Sequence, residues 1–207
     1  EVQDAIQSSY EEYGLSNTII IVRSNKRANL YNEQIRKTIL SRNHKLCIGD
    51  TLMITKNNYY WLASDSEIPF LANGDIIEVL QIYFFQELYG FEFVKAKVKM
   101  VDYDSSKVFD IIINLDSLSS DLTSLSFDQN KSLYEEVSKD YDKIKSKFLL
   151  QKKIKENPYL NALNVKFSYS ITCHKAQGGQ WPVVLVEKPY LKDGFNEDYF
   201  RWLYTAV

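Results

Sequence analysis

Thr18-Ile19-Ile20-Ile21-Val22 is an unbroken β-branched run that stops at Arg23-Ser24-Asn25. A strand with no polar face must be covered on both sides, as in a parallel sheet. Beyond it Ala28, Tyr31, Ile35 and Ile39 recur at spacings of three and four, which predicts a helix. Ser24 or Asn25 can cap that helix by accepting from its first-turn amides. Strand and helix together make a βα unit, with Arg23 to Asn25 at the strand's carboxyl end, where open α/β sheets hold their ligands.

From Gly49 to Asp116 the pattern changes to short strands: Thr51–Thr55, Asp75–Leu80, Phe91–Val101 and Val108–Ile113. Asn73-Gly74 supplies a tight turn, and strands so spaced predict a small antiparallel barrel of SH3-like type. Between Ser132 and Lys155 the apolar set Tyr134, Val137, Tyr141, Ile144 and Phe148 predicts one long amphipathic helix. Its capping box is Ser132 with Glu135, its Lys-rich second half is a solvated face, and Asn157-Pro158 ends it. Val165–Ile171 then reads as a strand and Val183–Glu187 as a second buried strand. Asp198–Val207 reads as a helix with Phe200, Leu203 and Tyr204 on one side. An α/β sequence therefore flanks a β insertion, with no internal repeat.

Charge narrows the function classes. The 207 residues carry a formal net charge of −2, so this is not a polybasic nucleic-acid binder overall. The distribution is uneven: Arg23 to Lys45 holds seven Lys/Arg against one Glu, and Asp50 to Val94 seven Asp/Glu against Lys56 alone. The first stretch can face phosphates and the second cannot easily. Cys47 and Cys173 lack metal-ligand spacing and there are only two His, which predicts no metal site and reduced thiols in a cytoplasmic protein. No apolar run reaches the roughly 18 residues of a membrane span, and the first residues are neither basic nor apolar. Because it begins without Met and stops at Thr205-Ala206-Val207, the chain is expected to be an excised piece of a longer protein.

The richest chemistry lies in Tyr169-Ser170-Ile171-Thr172-Cys173-His174-Lys175-Ala176-Gln177-Gly178-Gly179-Gln180-Trp181. Here a strand runs into a loop of hydroxyl, imidazole, ammonium and amide groups before two glycines, a composition suited to an anionic backbone. Ile171 to Gly178, followed by Gln180-Trp181-Pro182-Val183-Val184, resembles motif V of superfamily 1 DNA helicases, closest to the RecD-like branch of exodeoxyribonuclease V α-subunit type. Val22 to Ala28 with the helix to Arg36 resembles motif IV. Gly49-Asp50, Met53, Asn57-Asn58-Tyr59 and Asn73-Gly74-Asp75 resemble the start of the barrel, called 2B, that this branch inserts into its second motor lobe. Leu203 to Val207 resembles the opening of motif VI.

The resemblance implies roles. Arg23 would sense the ATP γ-phosphate, a task suited to an always charged, bidentate guanidinium. Thr172, His174 and Lys175 would contact single-stranded DNA, with Asn25 on the same side. Gln177 and Gly178 would shape the loop, Gly178 toward the nucleotide, and Gln180 would approach the ATP ribose. The family usually has Glu at that last position, and an amide bonds a hydroxyl there without charge. Cys173, where the family often has Val, reads as a buried small apolar residue. Tyr59, Tyr60 and Trp61 offer rings on which bases can stack, or pack the barrel, and the stretch Trp61 to Pro69 is longer than the family's loop.

The chain has no Gly-Lys dipeptide for a P-loop and no Asp-Glu pair for magnesium. The expectation is therefore an α/β chain forming a RecA-like second motor lobe, 2A, from residues 1–46 and 160–207. An SH3-like barrel, 2B, occupies 47–117 and a helical return segment 118–159. The longer protein would be a 5′ to 3′ ATP-dependent DNA helicase of repair or recombination, using ATP and Mg2+. Its partners would be single-stranded DNA, its own first lobe, and nuclease or helicase subunits, with no membrane, and the chain alone would be inactive. The alternative is a non-catalytic nucleic-acid- or protein-binding module.

Overall fold

The computed structural model describes residues 2–62, 68–101, 103, 108–122, 124–188 and 194–206. Residues 63–67 of the long Trp61 to Pro69 loop, and Val207 of the motif VI-like segment, lie outside these. Two compact units emerge, one of Glu1–His44 with Phe167–Val207 and the other of Lys45–Lys166.

The first unit opens with helix α1 (Val2–Tyr13) and a single 3-10 turn, Leu15–Asn17. Strand β1 (Thr18–Val22) follows, buried at all five positions. Helix α2 (Asn25–Gln34) starts at Ser24, whose hydroxyl accepts from Arg27 N at 3.3 Å, and continues as a π-helical turn over Ile35–Ile39. Burial of β1 follows from its place in the sheet. It lies between β7 (Ser170–Thr172) and β8 (Val183–Val186), parallel to both. Among the described residues strand β8 has one neighbour, and Val184 is 41% exposed, so the expected second buried strand is a half-exposed edge. Ile6, Ile20, Val22, Ala28, Ile35 and Tyr169 form the core under α1 and α2.

The second unit is a closed five-stranded barrel. It runs β2 (Thr51–Ile54), β3 (Ile76–Leu88), β4 (Phe91–Met100), β5 (Val108–Asn114) and β6 (Leu163–Phe167). The expected antiparallel barrel is mixed, because β6 pairs parallel with β5. A parallel neighbour needs a crossover, and the helices between the two strands supply it. These are α3 (Asp116–Ser119), α4 (Phe127–Lys139) and α5 (Lys147–Lys155). The single long helix expected over Ser132–Lys155 is thus two. The capping box is Ser126 with Gln129, not Ser132 with Glu135, and Ser146 caps α5. Leu133, Val137 and Ile154 pack onto Phe91, Phe93 and Ile112 on the barrel's outer face, while Phe148 is 80% exposed.

The strand expected over Val165–Ile171 also divides, its first part closing the barrel and its second entering the three-stranded sheet. After β7 come the short helix α6 (Cys173–Ala176), then β8, then helix α7 (Glu197–Ala206). Helix α7 buries Tyr199, Trp202 and Ala206 and exposes Phe200 and Tyr204, the reverse of the expected face. No helix among the described residues is long and apolar enough to cross a membrane.

Candidate nucleotide and nucleic-acid interface

Because β7, β1 and β8 are parallel, their carboxyl ends share one edge. Val22 is registered with Thr172 and Ile21 with Val186, so three exits stand side by side there: Arg23-Ser24, Thr172-Cys173 and Glu187. Glu187 N donates to Ile21 O at 2.9 Å, extending that edge by one residue.

Arg23 is exposed at this edge and makes no hydrogen bond or ion pair among the described residues, and the same holds for Lys26. Most of the basic run from Arg23 to Lys45 is committed elsewhere. Arg27 Nε donates to Glu187 Oε1 at 2.7 Å, its Nη2 reaches the same oxygen, and its guanidinium stacks 5.3 Å over Tyr31. Arg36 is buried over the Phe167 ring at 4.2 Å and donates to His44 O. Arg42 donates to the Tyr169 hydroxyl, Lys37 pairs with Glu33, and Lys45 pairs with Glu92. Of the seven cations, Arg23 and Lys26 are left for an external anion.

Asn25 opens α2, half-buried. Thr172 occupies the N-cap position of α6, but its hydroxyl makes no capping bond. Cys173 is buried at 1% exposure, as a small apolar residue should be, with its Sγ 3.7 Å from Nδ1 of the exposed His174. Lys175 is half-buried, and burial alone lowers its pKa. A phosphate beside it would oppose that shift by favouring the ammonium.

At the end of α6 the chain turns back through Gly179 N, which donates to Ala176 O at 3.0 Å, with Gly178 in the left-handed region at φ +85°. A Cβ on Gly179 would lie 2.2 Å from the Trp181 ring, so indole and glycine backbone are in close contact. Beyond this turn a cleft of about 790 Å³ opens, lined by Gln177, Gly178, Gln180 and Trp181 together with Val184 and Thr205. One short loop therefore spans the sheet edge at Thr172–Lys175 and the cleft at Gln177–Gln180. Arg23 and Asn25 stand at the sheet edge and do not line the cleft.

Two positioning features escaped the sequence. Asn32 is buried and uses both ends of its amide: Nδ2 donates to Phe167 O at 3.1 Å and Ser170 O at 2.9 Å, and Oδ1 accepts from Ser170 N at 2.7 Å. It fixes the start of β7, and its signal was a polar residue in phase with Ala28 and Ile35. The second is the Arg27–Glu187 pair, which ties the first turn of α2 to the end of β8; nothing local in the sequence signals it.

Comparison with curated proteins finds no match. Comparison with protein families matches residues 167–207, which carry the loop, β8 and α7, to the UvrD-like helicase C-terminal domain. A helicase C-terminal-like segment and a small closed barrel thus occur in one chain, an arrangement consistent with a fold related to superfamily 1 helicases.

Proposed function

We propose that this chain is the second motor lobe of a RecD-like superfamily 1 DNA helicase, with a 2B-type barrel inserted in it. In the longer protein it binds single-stranded DNA and completes an ATP site built by a first, P-loop lobe. The observation that carries the reading is the register of Val22 with Thr172, which sets Arg23 and the Thr172–Lys175 loop on one sheet edge. The family match over residues 167–207 supports it independently.

The residues fit a polyphosphate met from one side. Arg23 has no partner among the described residues and would donate to γ-phosphate oxygens. Gly178 and Gln180, in the cleft wall, would meet the ribose side, where the Gln180 amide bonds a hydroxyl. Mg2+, which the resemblance places with the ATP of the longer protein, would bridge its phosphates. ATP, when bound, supplies the phosphoryl group whose transfer to water drives the cycle. The Thr172 hydroxyl, the His174 ring and the Lys175 ammonium would donate to DNA phosphates, with Asn25 beside them. Because the loop that carries these donors continues into Gln177–Gln180, movement of the cleft wall would shift the DNA contacts. The resemblance extends to 5′ to 3′ movement, to a cytoplasmic role in repair or recombination, and to nuclease or helicase partner subunits.

The test uses the full-length protein with its P-loop lobe. Arg23→Ala should lower the DNA-stimulated ATPase rate by about a thousandfold, with the single-strand concentration for half-maximal stimulation unchanged. Lys175→Ala should raise that concentration and leave the maximal rate nearly intact. Full turnover by Arg23→Ala would refute the assignment.

A further inference from the structure

The barrel carries a second cleft, of about 300 Å³, whose wall is unusually rich in side-chain amides: Asn57, Asn58, Asn130, Asn161 and Asn164, with Lys56 at its rim. No carboxylate lines it among the described residues. Asn130 and Asn161 are oriented by their own partners, so the free end of each is determined. Asn130 Nδ2 donates to Leu125 O and Ser126 O, and Asn161 Nδ2 donates to Lys155 O and Asn157 O. Their carbonyl oxygens have no partner among the described residues. Asn164 Oδ1 is buried in the wall with no partner, beside the equally unpaired Nδ2 of its strand neighbour Asn114. The cleft thus offers two acceptors, Asn130 Oδ1 and Asn161 Oδ1, since Asn164 Oδ1 is closed off and has the Asn114 donor at its side. Beside them Tyr59 is 70% exposed, one side of its ring resting on Phe70 with centroids 4.8 Å apart.

We propose that this cleft is a pocket for a nucleobase, presented by an unpaired residue of a nucleic-acid strand or by a free nucleotide. The inference rests on the nucleic-acid reading above and adds a second contact point to it, on a different unit. The open face of Tyr59 provides a stacking surface. The surplus carbonyls select a base edge that donates: the exocyclic amino group of cytosine or adenine satisfies them, whereas thymine presents oxygens at the corresponding position. Lys56 meets the attached phosphate. A polyproline peptide, the other ligand that adjacent tyrosine and tryptophan rings suggest, is disfavoured because its carbonyls need donors. The Trp61 indole N–H is already given to Asn161 O at 2.8 Å and the Tyr60 hydroxyl to Glu156 O at 3.0 Å.

The experiment measures binding of short labelled oligo-deoxycytidine and oligo-deoxythymidine to the whole chain by fluorescence anisotropy. Both are pyrimidines, so stacking differs little and the amino group decides. The wild type should hold oligo-deoxycytidine several-fold more tightly, Tyr59→Ala should weaken both by about tenfold, and Asn130→Ala should erase the difference. Tyr59 and Asn130, the two positions in the pocket that carry these tests, are exposed, so folding is not at stake. Competition by dCMP separates the sources: displacement assigns the pocket to free nucleotides, and none assigns it to the strand. Lys175→Ala should lower overall affinity and leave the base preference intact. If Lys175→Ala has no effect while the Tyr59 and Asn130 variants do, the loop reading fails and the pocket stands. Equal binding of the two oligonucleotides, wild-type behaviour of Tyr59→Ala, displacement by oligoproline, or no binding of oligonucleotide or dCMP would each overturn the proposal.

Discussion

Gly178 and Gly179 look alike in the sequence and differ in what they tolerate. Gly178 sits at φ +85° with open space around the Cβ it lacks, so a side chain there meets backbone strain of about 1–2 kcal/mol and nothing else. Gly179 is covered by Trp181, and its Cβ would fall 2.2 Å from the indole. Gly179→Ala should therefore swing Trp181 out of the cleft wall, shifting its fluorescence emission and weakening oligonucleotide binding with little change in melting temperature, because the loop is exposed. Gly178→Ala should leave the emission near wild type. The same contrast marks what was legible at this scale. The Ser24 cap depends on residues three apart, within reach of a local pattern, which narrows it to Ser24 or Asn25. Asn32 and Arg27 find their partners 138 and 160 positions away, beyond the reach of any local pattern.

Among the elements, β6 and β7 show how a continuous apolar pattern conceals a change of sheet. Alternation runs on through Val165 to Ile171, and only the fold reveals that the strand leaves the barrel at Phe167 and joins β1 from Ser170. The α4–α5 pair reads as one helix in the sequence for a similar reason, since two helical phases joined by a short turn mimic one period. Strand β1, flanked on both sides, is the element whose sequence had only one solution. At the barrel seam Lys166 donates to Ser117 O and Ser120 O at the end of α3, and burial lowers its pKa from 10.5 to about 8. The folded state then binds fewer protons than the unfolded chain between these two values. This group's contribution is full above pH 10.5 and is lost as pH falls toward 8, so stability rises with pH across that window. Tyr10 and Tyr89 act oppositely at the top of it, because burial raises both and the fold keeps their protons longer. Chemical denaturation between pH 8 and 9.5 should therefore show the wild type gaining stability relative to Lys166→Met. A constant difference would mean that Lys166 stays charged in the fold.

For the whole molecule, connectivity sets an unequal dependence between the two units. Val22 and Thr172, side by side in the sheet, are separated by 150 positions. Closing so long a loop is costly unless something shortens it. The barrel does so, since Thr55 N donates to Asn164 O at 3.0 Å and the folded barrel joins the two arms of the loop there. The free lengths that remain are 33 positions from Val22 to Thr55 and 8 from Asn164 to Thr172. Shortening the loop in this way lowers the closure cost by about 1 kcal/mol. The barrel gains no such help from the three-stranded sheet, because its own strands are contiguous apart from β6. Ile111→Ala in the barrel core and Ile20→Ala in the sheet core should each cost their own unit about 2–5 kcal/mol. Hydrogen exchange in urea should then show Ile111→Ala also lowering protection in β1, β7 and β8 by about 1 kcal/mol, with Ile20→Ala leaving β2 to β5 at wild-type protection. Equal losses in both units from either variant would instead identify one cooperative block, and the loop argument would fall.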